Sequence, residues 1–440
     1  MAESSATTVS EKTPRRLANW DLLRAISMFA VVVVHMSGYL GPIGGVPTNA
    51  IGVFAIVCDP VFFALSGYFA LRPLKTGLFK YYVRKFSSIV LPLFLYSVLL
   101  YVYYSWSSGL SLFGYIEYFS NVLSPWWFIP ALIPFLIAAP FLYKCLESLS
   151  DDWVKLLIKL SVVLSIWGIA GCFLTWVFEA TGHATLGRMV GICTSLLPAT
   201  MVPNSYFIYF CLGFFIRRLI PILSDKRKNQ LIVLGLLCWI LDTAFAHFGI
   251  NRVDPSYAWL PATIVIFLIV DRPSIPDGIA SRCIGWAAKR SYSIYLLQYT
   301  TIEIATAAVY TSFFAGGIMG HTALVRLCVW LGTTFLAYAL AFGFASIADS
   351  ALLRPLQGFV ETFLLRLLKG ECRNMVKAGR RMVSCAVPPS FLRTFHQVHR
   401  PALRHGCLPY ASRPDIGCRD LPDRLPREAH PVSRRALLCS

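Results

Sequence analysis

Asp21-Leu-Leu-Arg24-Ala-Ile-Ser-Met-Phe-Ala-Val-Val-Val-Val-His35 is an apolar run with ionisable side chains towards both of its ends. With its flanks it is long enough to cross the roughly 30 Å hydrocarbon core of a bilayer as a helix. Ten residues stand between Arg24 and His35. Eleven steps of about 100° bring a helix almost back to its starting angle, so both side chains leave one face, about 16 Å apart along the axis. A cation near one membrane surface and an imidazole deeper in, on one stripe, have the form of the two ends of a site for a long anionic ligand.

The rest of the chain repeats the apolar theme. Of 440 residues, 56% are hydrophobic and only 14% charged, where a soluble domain carries about a quarter charged. The expectation is an all-α polytopic integral membrane protein with about ten transmembrane helices. They are placed near 20–40, 51–71, 86–106, 126–143, 155–178, 203–219, 230–248, 257–271, 291–314 and 322–348. The sixth and eighth are short. The long, partly apolar connection between the fifth and sixth is read as room for a re-entrant or interfacial segment. Pro60 in the second run and Pro130, Pro134 and Pro140 in the fourth mark kinks, tolerated where neighbours satisfy the freed carbonyls.

Charge gives the orientation. Lys12 to Arg16, Arg72 to Lys85, Lys144 to Lys155, Arg217 to Lys228, Asp271 to Arg290 and the chain beyond Arg354 hold nearly all the loop Lys and Arg. Gly41 to Ala50, Ser105 to Ser124 and Phe314 to His321 hold almost none, with Arg188 and Arg252 as exceptions. The positive-inside pattern puts both termini in the cytoplasm, Arg24 near the inner surface and His35 in the outer half of the first helix. A formal charge of +18 in a soluble protein would suggest nucleic acid. Here topology and anionic headgroups account for the loop charges, so the bilayer is the expected partner and nucleic acid is not.

Residues 1–16 are polar, rich in Ser and Thr and without a signal-peptide pattern. They are expected to be a disordered cytoplasmic start, followed by a membrane domain over 17–350 and a helix end over 351–370. Residues 371–440 change composition abruptly, to Arg, Pro, His and Cys without a sustained period. Arg outnumbers Lys there, which favours a shifted, non-native reading frame over a disordered tail, and either over a basic binding tail. The 13 cysteines form no Cys-x-x-Cys and no metal-type spacing, and Cys58, Cys172 and Cys238 lie inside apolar runs. No disulfide framework, metal or resident cofactor is expected.

Two readings stand beside each polar residue. His35 is either a neutral imidazole bonding between helices or a general base. Arg24 is either a snorkelling topology marker, with Asp21 as a pairing partner three residues away, or a phosphate clamp. Asp59, Ser66, Tyr68, Arg84, Lys85, Lys289, Ser291, Tyr292, Tyr295 and Glu303 cluster at span ends, where close helix approach, aromatic belts and topology also explain such residues. Trp126-Trp127-Phe128 fits an outer aromatic belt. There is no Gly-x-Ser-x-Gly elbow, Walker loop, dinucleotide fingerprint or His-Glu-x-x-His.

The ordered set of motifs resembles acyltransferase family 3. Asn19-Trp20-Asp21-Leu22-Leu23-Arg24 with His35 is similar to its Arg, ten residues, His signature. Phe62-Phe63-Ala64-Leu65-Ser66-Gly67-Tyr68 resembles its Phe-Phe-x-x-Ser-Gly element, and Arg84 follows at a suitable distance. Trp126-Trp127-Phe128 and Ser291-Tyr292-Ser293-Ile294-Tyr295-Leu296-Leu297 resemble its Trp-Phe and Ser-Tyr-x-x-Tyr-Leu segments. The likeness covers roughly 17–350, and the spacing after Asn19 is closest to the surface-polysaccharide O-acetyltransferase branch. Two positions depart: Gln298 stands where the late motif often has His, and Ala351-Leu-Leu-Arg354-Pro355 replaces a Glu-Lys-Pro-type ending.

The resemblance implies acyl transfer, usually of acetyl from acetyl-CoA as co-substrate, to a hydroxyl of a cell-surface carbohydrate or lipid-linked glycan. It makes His35 and Arg24 the catalytic pair. Arg84, Lys85 and Ser66 would bind the donor, and Asp21, Tyr68 and Tyr295 would support the site. His35 would take the acceptor's proton or carry the acyl group covalently. A glycan transporter or flippase, and a non-catalytic membrane assembly partner, are the alternative readings.

Overall fold

The computed structural model describes residues 18–39, 48–198, 205–248, 250, 254–272, 275–313 and 320–367. The expectations for residues 1–16 and 371–440 lie outside the described residues. Among those described, every regular element is helical. The first half contains α1 (Ala18–Met36), α2 (Thr48–Ala55), α3 (Cys58–Ala70), α4 (Leu78–Lys85), α5 (Leu91–Ser105), α6 (Leu112–Val122) and α7 (Phe128–Glu147). The second contains α8 (Asp151–Ala180), α9 (Ala184–Ser195), α10 (Tyr206–Leu219), α11 (Asp225–His247), α12 (Trp259–Asp271), α13 (Ile279–Phe313) and α14 (Ala323–Ala348).

Among the described residues, seven helical stretches are long and apolar enough to cross a membrane: Ala18–Tyr39, Ile51–Ala70, Leu78–Ser105, Phe128–Glu147, Asp151–Ala180, Asp225–His247 and Ala323–Leu367. The chain is an all-α polytopic membrane protein. The other three expected spans are helices of a different kind. α10 and α12 have only 14 and 13 residues. α13 has 35, but Arg282, Lys289, Arg290 and Glu303 dilute its apolar character. The long connection after α8 holds the helix α9.

Prolines decide where the helices deviate. The second expected span is one apolar run, yet it breaks between α2 and α3 at Ile56 and Val57. Pro60 has no N–H for the Ile56 carbonyl, and its ring crowds that carbonyl. Asp59 N–H takes it instead, at 3.0 Å. The break leaves Asp59 in the first turn of α3. Two π-helical turns, Phe86–Val90 and Asp349–Leu353, each lie two residues before a proline, Pro92 and Pro355. Side chains from elsewhere donate to carbonyls of the first turn. Tyr292 Oη donates to Ile89 O at 2.7 Å and Gln357 Nε2 to Ser87 O at 3.0 Å. In α7, by contrast, Pro134 and Pro140 lie inside an unbroken helix.

Among the described residues, three buried clusters form the core. α1 packs on α3, α13 and α14, and α3 crosses α10 at very short range. A Cβ on Gly67 would stand 1.8 Å from Phe210 O, and one on Gly213 would stand 2.2 Å from Ala64 O. Only glycine permits that approach of two backbones. Arg217 then reaches from the end of α10 to the last carbonyls of α3, with Nη1 donating to Tyr68 O at 2.9 Å and Nη2 to Leu71 O. A cation on the negative end of a helix is favourable placement. Lys228 to Asp271, Arg218 to Asp151 and Asn19 to Val270 O tie the ends of neighbouring helices together. Trp126 corrects the reading of an outer aromatic belt. It is 1% exposed, in the same buried cluster as residues of α1, α5, α13 and α14, while Trp127 next to it is 37% exposed.

Candidate active site

A cavity of about 410 Å³ opens where α1, α3, α7 and α13 meet. Each helix contributes one stripe. α1 gives Arg24, Met28 and Val31, spaced by four and three residues. α3 gives Asp59, Phe62, Ser66 and Phe69 with the same spacing rule. α13 gives Lys289, Tyr292 and Tyr295, and α7 supplies an apolar wall of Ile129, Leu132 and Leu136. Ser88 and Ile89 of the first π turn close the side. The turn that departs from regular helix geometry is thus part of the cavity wall.

One end is cationic. Arg24, Lys85 and Lys289 all line the cavity, and the Arg24 guanidinium lies over the Phe69 ring at 5.1 Å. Phe69, Lys85 and Ser88 also line a second cavity, of about 570 Å³, with Arg72, Lys75, Arg84 and Glu361. The two cavities share a wall, and cations lie along both. Such a concentration of positive charge attracts a polyanion and focuses it towards the interior. Guanidinium and ammonium donors suit phosphate oxygens.

Beyond the other end, one helical turn past Val31, stands His35. It is not among the residues lining the first cavity. It sits on the stripe that begins at Arg24, half-buried. Tyr299 occupies the matching place on α13, one turn beyond Tyr295. Its hydroxyl lies 3.2 Å from His35 Nε2 and 3.3 Å from Nδ1, and the rings are 4.6 Å apart. A ring N–H donates to this hydroxyl, or the hydroxyl donates to the bare nitrogen, according to the tautomer. Arg24 with Lys289 at one end and His35 with Tyr299 beyond the other make α1 and α13 run in the same direction.

The residues named from sequence fall into three groups. Arg24, Lys85, Ser66 and Tyr295 line the first cavity. Tyr295 is held there by α7: Phe128 N–H donates to its hydroxyl, which donates to Pro125 O, both at 3.4 Å. Arg84 is exposed and lines only the second cavity. Tyr68 and Asp21 line neither cavity. Tyr68 packs on Trp20, with ring centroids 5.0 Å apart, and lies under Arg72. Asp21 is 7% exposed in the first turn of α1.

Tyr299 carries the contact to His35 and was not singled out from sequence. Its signal was present: Tyr292, Tyr295 and Tyr299 repeat at three and four residues, one helix face. Lys289 and Asp59 read as span-end residues and prove to line the cavity. Among the described residues, no group of three or more His, Cys, Asp or Glu could hold a metal ion.

Together these features define a helical membrane protein with a cavity that is cationic at one end and an imidazole one helical turn beyond its lining on α1. A family model described as an acyltransferase domain matches residues 17–347, and the chain belongs to acyltransferase family 3. It is a membrane acyltransferase, with an acyl donor, an acceptor and the lipid bilayer as its partners. No curated protein and no solved structure matches the chain.

Proposed function

We propose that this acyltransferase moves an acetyl group from acetyl-CoA to a hydroxyl of a cell-surface carbohydrate or lipid-linked glycan. The observation that carries the reading is the α1 stripe. Arg24, Met28 and Val31 line a cavity that is cationic at its Arg24 end, and the next turn presents His35. The phosphates of the donor bind among Arg24, Lys85 and Lys289, with Arg84 at the approach through the second cavity. The pantetheine arm runs along the apolar wall of Met28, Val31, Ile129 and Leu132. That delivers the thioester to the His35 end.

Transfer there is a proton problem. An alcohol is a weak nucleophile until a base takes its proton. His35 accepts that proton as the acceptor oxygen bonds to the thioester carbonyl carbon. The carbon–sulfur bond then breaks, and the imidazolium returns the proton to the leaving thiolate. In the covalent alternative a ring nitrogen of His35 itself attacks the thioester carbon, the thiolate leaves, and the acceptor hydroxyl then takes the acyl group from the imidazole and gives up its proton. Tyr299 fixes the ring's rotation in either route. The enzyme sits in the plasma membrane with both termini in the cytoplasm, because the basic loops gather at the Arg24 end.

The test is the ester-linked acetate released by base from surface glycan of cells carrying His35→Ala. The expected result is its loss at normal protein level. Acetylation equal to wild type would sink the catalytic assignment.

A further inference from the structure

Glu303 stands on α13 one turn beyond Tyr299, further from Lys289. Four residues set it on the same side of the helix, about 6 Å along the axis. The residue is exposed. Tyr104, at the end of α5, places its hydroxyl 2.7 Å from Glu303 Oε2 and 2.9 Å from Thr300 Oγ1. Both are acceptors for the single phenol proton, and the charged carboxylate is the stronger of the two. Among the described residues, Glu303 meets no cation, and Oε1 has no hydrogen-bond donor.

An interfacial aromatic belt explains tyrosines here, but not a carboxylate. An ionisable side chain in a helix of a membrane bundle is costly and faces protein, water or a ligand. The surroundings of Glu303 have a consistent character. Tyr103 is 57% exposed and Tyr104 44% exposed, with ring centroids 5.1 Å apart. The Tyr118 ring of α6 lies 6.3 Å from that of Tyr104. Acceptor oxygens beside exposed aromatic faces are the chemistry that a sugar ring satisfies. Its hydroxyls donate to the carboxylate in charge-assisted bonds, and its C–H faces cover the aromatic rings.

The geometry points to Glu303, with Tyr104, Tyr103 and Tyr118, as a binding subsite for a neutral polyhydroxylated acceptor ring, one turn beyond the His35–Tyr299 pair. The inference rests on the carbohydrate-acceptor reading of this enzyme and gives that acceptor a place on the chain. A carboxylate here also sets a sign: an acceptor ring carrying its own carboxylate is repelled.

The experiment is saturation-transfer NMR on the full chain in nanodiscs, without acetyl-CoA. The probes are methyl glucoside, methyl galactoside, methyl rhamnoside and, as the anionic control, methyl glucuronide. Wild type should bind at least one neutral glycoside and bind the glucuronide about tenfold more weakly. Glu303→Gln should weaken neutral glycoside binding about tenfold and narrow the gap to the glucuronide, a change that a structural role would not produce. Tyr104→Phe leaves the carboxylate in place and should give a smaller loss, which covers a failure of Glu303→Gln to fold. Unchanged glycoside affinity in both variants, or a wild type that binds none of the neutral glycosides, overturns the subsite. Acetyl transfer is measured separately: glycoside binding that depends on Glu303, without any acetyl transfer, breaks the proposed reaction and leaves the subsite standing.

Discussion

The two ends of the cavity are built on opposite plans. At the Arg24 end, charge is supplied several times over. Arg24, Lys85 and Lys289 line the first cavity, and Arg72, Lys75 and Arg84 line the second. At the other end there is one imidazole, and its described hydrogen-bond partner is one phenol. Binding a flexible polyanion tolerates redundancy, because attraction sums over many partial contacts. Moving a proton does not, because it needs one group at one place with the right basicity. The comparison therefore predicts abrupt losses at the His35 end and graded, salt-sensitive ones at the Arg24 end.

The largest effect is expected at His35. General acid–base catalysis contributes about 10²- to 10⁴-fold, so His35→Ala should lower kcat by at least about 100-fold and leave the donor KM near wild type. Steady-state transfer from labelled acetyl-CoA by purified protein measures both. Equal loss in donor affinity would erase the distinction between the two ends. Arg24→Ala comes next. A hydrogen bond to a charged group is worth about 1.5–3 kcal/mol, which is roughly a 10- to 150-fold rise in donor KM, with kcat much less affected. An unchanged donor KM would return Arg24 to the role of a topology marker.

The stripe on α1 is legible in the amino-acid sequence because helical period is a matter of arithmetic. The same arithmetic covers Tyr292, Tyr295 and Tyr299, yet the meaning of that stripe depends on which helix it faces. α1 and α13 are far apart in sequence, and no local pattern pairs them. The ten apolar runs are legible as helices. Their differences are not: α10 packs deeply because Gly67 and Gly213 let its backbone touch α3, a tertiary event. Pro60 announces a kink, but not that the run splits into α2 and α3 with Asp59 set at the cavity. Trp126 misleads because a tryptophan near a membrane surface has the same local sequence whether it faces lipid or the core. Local pattern sets the period of an element, and only packing decides what that period serves.

Tyr299→Phe gives a sharper probe than removal of His35 itself, because it keeps the imidazole and takes away only its partner. A neutral hydrogen bond contributes about 0.5–1.5 kcal/mol, so kcat should fall about two- to tenfold with the donor KM unchanged. A fall as deep as that of His35→Ala would make the phenol a participant in the proton transfer instead of a support for the ring.

The smallest effect belongs to Arg84. It is exposed and lines only the outer cavity, and exposed charges contribute about 0–1 kcal/mol. Arg84→Ala should raise the donor KM less than about fivefold at low salt. That difference should fade as ionic strength rises and the Debye length shrinks towards about 3 Å at 1 M. The more buried Arg24 is screened less, so the ratio of the two effects should widen with salt. If both fade together, the Arg24 end acts only as a diffuse field, and the contrast with the localised chemistry at His35 becomes sharper still.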